Sequence, residues 1–196
     1  MIDRVQPANS GEFGKGRLHI ATLIGSAAHA ESSKFGFGRA PTNQEIAGWN
    51  IDIGRDGKEL PPGRGSVQEG RTIFAEKCAS CHGEKGEGGV GDRLVGGQGT
   101  LASAKPVKTV GSFWPYAPTL FDYIRRAMPM NAPQSLSNQE VYALSAYILN
   151  LNGLVADDAT LDAKSLAAIK MPNRDGFVPD PRPDVKNEAC TSNCKN

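Results

Sequence analysis

Cys78, Cys81 and His82 stand in the order C-x-x-C-H, and that spacing restricts the chemistry open to them. Two thiols one helical turn apart can each reach a vinyl group of one porphyrin and close two thioether links. A histidine directly after the second thiol then lies beneath the ring and can give an imidazole nitrogen to the iron. This is the pattern of covalent c-type haem attachment. Two other uses of paired cysteines compete with it. A zinc site needs a second Cys/His pair, for which only Cys190, Cys194, His19 and His29 remain. A disulfide-exchange motif sits beside a βαβ pattern, and none surrounds these residues.

A haem that only transfers electrons is held on both faces of its iron, which limits structural change between oxidation states and leaves no position for substrate. The other histidines lie in the N-terminal arm, so the second ligand is expected to be a methionine. Thioether ligation favours ferrous iron and raises the reduction potential. Met1 and Met171 lie in the outer segments, whereas Met128 and Met130 lie between two late helices. Met128 is the candidate, because it directly follows an amphipathic helix and Pro129 stiffens the chain behind it. Met130 is second choice, and core filling is the ordinary use of a lone methionine. Trp114, Tyr116, Arg125 and Arg126 are candidate donors to the haem propionates. The two arginines read equally well as a solvated helix face.

Four elements position these groups. Thr42-Asn43-Gln44-Glu45 is a capping-box pattern that opens a short helix through Ile46 and Trp49. Residues 54–65 read as loop, with Asp56-Gly57 and Pro61-Pro62-Gly63 as turn signals. Ser66-Val67-Gln68-Glu69 opens the helix that carries Cys78. Gly70 and Phe74 share one face of it. A glycine costs about 1 kcal/mol inside a helix, so Gly70 points to close approach of another helix. Residues 83–112 hold nine glycines and read as a long loop around the haem edge. Leu120, Tyr123, Ile124 and Ala127 mark an amphipathic helix over 119–127. Ser137-Asn138-Gln139-Glu140 opens a helix to about Leu151, with Val141, Leu144, Ile148 and Leu151 on one stripe and Asn152-Gly153 as its stop. This helix is expected to cross the first at Gly70. The fold class is therefore mainly α around one covalent haem, with long irregular extensions. The divisions are 1–65, an arm and short helix for partner contact; 66–153, the haem domain; and 154–196, a proline-rich extension with a short helix over 162–170.

Composition removes several function classes. Of 196 residues 39% are hydrophobic, with 23 glycines and 13 prolines, and the net charge is +1. So small an apolar share makes a modest core, to which a haem would add a large apolar centre. No basic block marks a nucleic-acid surface. No apolar run reaches the roughly 18 residues of a membrane span. Residues 18–28 followed by Ala28-His29-Ala30 resemble a short signal peptide, and haem attachment at C-x-x-C-H implies export from the cytoplasm. Cys190 and Cys194 are expected to close a small disulfide loop in an oxidising compartment. No paired carboxylates, nucleophile elbow or phosphate loop is present, so no catalytic residue is expected.

Three helices, with C-x-x-C-H on the first and a methionine before the last, resemble class I cytochrome c over residues 66–153. The flanks are similar to a narrower group. Phe35-Gly36-Phe37-Gly38-Arg39, residues 45–52, Leu60-Pro61-Pro62-Gly63, residues 111–117, residues 123–129, Met171-Pro172-Asn173-Arg174 and the closing cysteines resemble the cytochrome subunit of sulfane dehydrogenase, the SoxD family. That resemblance implies a periplasmic partner, the molybdenum-cofactor subunit SoxC, in a heterotetramer. It also implies thiosulfate oxidation as the pathway, through sulfane sulfur held on a carrier protein. Electrons would leave to a soluble cytochrome or a second haem domain. Family members commonly carry that second domain after the proline-rich segment, and this chain has a single C-x-x-C-H. His82 and Met128 carry over as iron ligands, and Cys78 and Cys81 as attachment points. The alternatives are a sulfite dehydrogenase cytochrome, a free periplasmic carrier, or a haem enzyme with an open iron site.

Overall fold

The computed structural model describes residues 37–181. The apolar stretch at 18–28, Met1, His19, His29, Cys190 and Cys194 lie outside the described residues. Two compact units divide the chain, one ending at Ile46 and one starting at Ala47.

In the first unit Thr42 and Glu45 form the expected capping box. The Thr42 N–H donates to Glu45 Oε2 at 2.8 Å, and the Glu45 N–H donates to Thr42 Oγ1 at 3.2 Å. Helix α1, Asn43–Trp49, starts there and has no buried residue.

The second unit begins its regular structure with strand β1, Arg64–Ser66. Helix α2, Val67–Lys77, follows at once, and Ser66 and Glu69 cap each other reciprocally at its start. Helix α3 is the single turn Ala79–His82. Residues 83–116 form turns without helix or strand, as their glycines imply. Helix α4 spans Ala117–Ala127. It begins two residues earlier than the apolar spacing indicates, because Pro118 is preset for a first helical turn and needs no N–H partner there. Helix α5, Asn138–Leu151, has the Ser137–Glu140 capping box. Strand β2, Thr160–Asp162, pairs antiparallel with β1, Gly65 opposite Leu161. Helix α6, Ala163–Ala167, closes the order with Asp162 as its cap.

Helices α2 and α5 cross at Gly70. A Cβ added there would overlap the Ala143 carbonyl and lie 2.8 Å from Tyr147 Cβ. Only glycine allows this approach. Phe74, four residues on, meets Tyr147 edge-on with ring centroids 5.4 Å apart. Every residue from Val141 to Leu149 is buried, so α5 is enclosed on all sides rather than along one stripe.

Two features depart from the sequence reading. The 54–65 loop ends in a strand, and residues 160–171 of the C-terminal extension join the core. Leu161, Leu166 and Met171 are buried in the same cluster as Val67, Phe121 and Leu144. Strands of three residues are too short to show an alternating pattern, and their pairing spans almost a hundred residues of chain.

Candidate haem site

Helix α2 delivers the cysteine pair. Its last turn ends at Cys78, whose backbone leaves helical geometry at φ −125° and ψ −37°. The Cys78 carbonyl then accepts from the N–H of Cys81 at 3.1 Å and of His82 at 3.0 Å. One short turn therefore holds both thiols and the imidazole. Cys78 is half-buried against the core and Cys81 is exposed. Burial pushes the Cys78 thiol up to about 11. A redox pair requires a stabilised thiolate, and this environment does the reverse.

His82 is half-buried, and its Nδ1 lies 2.7 Å from the Asp92 carbonyl oxygen. A carbonyl only accepts, so Nδ1 carries the proton and Nε2 keeps its lone pair for a metal. The loop that supplies Asp92 is fixed at several points. The Gly88 N–H donates to the His82 carbonyl at 2.7 Å, and the Gly91 N–H to the Cys81 carbonyl at 2.8 Å. Gly91 packs on the ring itself; a Cβ there would lie 3.0 Å from His82 Cε1. His82 thus offers one prepared imidazole nitrogen. Among the described residues no cluster of three or more His, Cys, Asp or Glu side chains could hold a metal ion.

Met128 is the C-cap of α4, half-buried against the core cluster, and its N–H donates to the Ile124 carbonyl at 3.0 Å. Met130 is 81% exposed and Met171 is 1% exposed in the core. Of the three described methionines, only Met128 is half-buried with its chain fixed by a helix end. Trp114 meets Tyr123 edge-on at 5.7 Å and 79°. Tyr123 is about half exposed while Leu120, Phe121 and Ile124 around it are buried.

The remaining candidates are engaged within the protein. Arg126 pairs with Asp122, and Arg125 donates from Nη1 to the Ile51 carbonyl at 3.3 Å. Two guanidinium groups lie over the Tyr116 ring, Arg55 at 6.0 Å and Arg174 at 5.0 Å. The sequence reading overlooked Asp92, Tyr123 and the Asp122–Arg126 pair. Only the last left a signal, an acid and a base four residues apart on a helix.

Residues 67–152 match the cytochrome c family model. The fold superposes on the crystal structure of the sulfane dehydrogenase SoxCD from Paracoccus pantotrophus with a TM-score of 0.71. That match is 41% identical and covers 83% of each chain. The chain belongs to the cytochrome c family, in its SoxD-like branch. This cytochrome also resembles thiosulfate dehydrogenase from Stutzerimonas stutzeri, 30% identical over 56% of this chain and 34% of that protein. Its match to thiosulfate dehydrogenase from Psychrobacter arcticus is 32% identical over 48% of this chain and 28% of that protein. The cytochrome therefore spans about a third of the length of these relatives.

Cytochrome c membership implies covalent haem c and electron transfer. The residues present fit such a group. Cys78 and Cys81 offer two thiols on one turn, and the His82 tautomer is already the one that coordination needs.

Proposed function

We propose that this cytochrome is a periplasmic electron-transfer subunit that takes electrons from a molybdenum-cofactor partner during oxidation of protein-bound sulfane sulfur. The likeness to SoxCD across 83% of both chains carries this reading. Bound haem c supplies a one-electron centre. Cys78 and Cys81 would anchor it, and His82, through Nε2, and Met128 would hold its iron. Asp92 holds the imidazole in one tautomer and orientation, with Nε2 left for the iron. Trp114 and Tyr116 are the candidate donors to the haem propionates. The chain contributes no proton transfer or bond cleavage; those belong to the partner.

The segments outside the haem domain support a fixed partner rather than a free carrier. Helix α1 is capped and paired through Arg39 and Glu45, yet buries nothing; Trp49 is 87% exposed and Ile46 48%. A short helix held in this way with an apolar pair in solvent is suited to lie against another protein. No described helix is long and apolar enough to cross a membrane.

The test is purification from the native source with molybdenum and iron quantified in the haem-bearing fraction. Molybdenum near one per haem, with the haem reduced on adding a sulfane-sulfur substrate, is the expected result. A lone haem protein that the substrate leaves oxidised would replace this reading with that of a free carrier.

A further inference from the structure

Asp122 is buried on α4, six residues before Met128, and only 7% exposed. Its Oδ1 accepts from the Ile53 N–H at 2.9 Å and from Arg126 Nε at 2.9 Å, and its Oδ2 accepts from Arg126 Nη2. One residue before Arg126, Arg125 donates to the Ile51 carbonyl. The segment 51–53 is thereby tied to the last two turns of α4 by polar links that flank the buried Ile53 side chain.

Those links matter because packing is thin there. Ile124 is the last buried residue of α4, and no side chain from Arg125 to Ser135 is buried until Leu136. A cavity of about 420 Å³ opens between Ile51, Arg125, Arg126, Gln134 and Leu136. The last turn of α4, at Arg125 and Arg126, therefore borders an opening on this side, with Ile51 and Leu136 as its apolar lining. A chain end with few buried contacts frays locally unless something else fixes it.

We propose that Asp122 is a positioning residue for Met128. It acts through Arg126 and the Ile53 N–H, holding the last turn of α4 closed so that the thioether stays at the iron. The inference rests on Met128 being the second ligand. Loss of the Asp122 carboxylate leaves Arg126 without its hydrogen-bonded partner and weakens the tie to segment 51–53. Met128 then leaves the iron more often, and an external ligand enters sooner.

The experiment uses the ferric holoprotein with imidazole as the entering ligand. Loss of the weak far-red sulfur-to-iron charge-transfer band gives the displacement rate. Asp122→Asn and Arg126→Gln each raise that rate by about tenfold, the equivalent of ~1.4 kcal/mol off the barrier. The double variant is no faster than either single one, because both remove one unit. Lys77→Gln breaks a different ion pair, between α2 and α5, and serves as control: stability falls and the rate stays. An Asp122→Asn rate within about twofold of the parent, or equal acceleration in Lys77→Gln, overturns the inference. If Asp122→Asn yields no folded holoprotein, Arg126→Gln decides alone, since its side chain is exposed. Met128→Ala run in parallel separates the two claims. A band that survives that change removes the ligand assignment and this inference with it. A band lost there, with Asp122→Asn inert, removes only the inference.

Discussion

Gly70 lies against the backbone of Ala143, so that helices α2 and α5 meet with no side chain between them. Gly65 of β1 packs on the same residue; a Cβ there would lie 2.6 Å from Ala143 Cα. Two glycines of the haem-bearing segment thus set the distance between the C-x-x-C-H turn and the final helix. Gly70→Ala should separate the helices and cost about 3 kcal/mol by overpacking. Denaturant unfolding of the holoprotein checks this. An alanine variant as stable as the parent would show that the helices have room to move apart.

Met128 and Met130 are two residues apart and make opposite predictions. Met128→Ala should open the iron to small ligands and lower the reduction potential on the order of 0.1 V, since axial ligands set much of its range. Met130→Ala should change neither, because its side chain is 81% exposed. Spectra and potentiometry of the pair settle the assignment; the reverse outcome would transfer the ligand role to Met130.

His82 donates from Nδ1 to the Asp92 carbonyl while Gly91 closes on the ring. A Cβ at Gly91 would lie 3.1 Å from Nδ1, tighter than ordinary contact. Gly91→Ala should tilt the imidazole and weaken its hydrogen bond. A weaker bond makes the imidazole a poorer electron donor to iron, so the potential should rise by tens of millivolts. An unchanged potential with full haem content would show that the loop yields instead of the ring.

The helices and the attachment turn were legible in the sequence because each has a local signature. Ser66–Glu69 and Ser137–Glu140 begin their helices where the capping boxes stand. Gly70 marked the crossing because glycine inside a helix calls for a reason. What escaped was non-local. The β1–β2 pair consists of two three-residue strands joined across the whole haem domain. Arg126 is the local exception: it pairs with the buried Asp122 on its own helix, an acid and a base four residues apart that its reading as a propionate donor passed over. Asp92 acts through its backbone carbonyl, which no residue type announces.

Lys77 and Glu140 join α2 to α5 at 2.6 Å. The Lys77 ammonium, with the Ser137 N–H, lowers the Glu140 carboxyl from 4.5 to about 2. A carboxyl depressed in the folded state stabilises fully above its unfolded value, and the gain is lost as pH falls through the folded one. Stability should therefore decline between about pH 4.5 and pH 2 as this carboxyl takes up its proton. Both side chains are partly in solvent, so screening leaves about 1 kcal/mol. Lys77→Gln should lose that amount at neutral pH and show a flatter acid limb. An acid limb of unchanged slope would assign the decline to other carboxylates.

The stretch from Thr160 to Met171 lies beyond the residues that match the family model, yet it completes the core. Leu161 is 5% exposed, Leu166 0% and Met171 1%. The Val67 N–H, at the start of the haem-bearing helix, donates to the Ala159 carbonyl at 3.0 Å. Burial of each of the three side chains contributes about 1.5–3 kcal/mol, and domains of this size have only about 5–15 kcal/mol in hand. A chain ended at Val155 keeps every proposed haem residue and all of helix α5. It should nonetheless accumulate poorly and unfold at much lower denaturant than a chain ended at Pro181. If the shorter chain holds haem with equal stability, the extension is an addition to a self-sufficient domain. If it does not, the last strand and helix are part of the haem domain, and the matched segment alone is too short to fold.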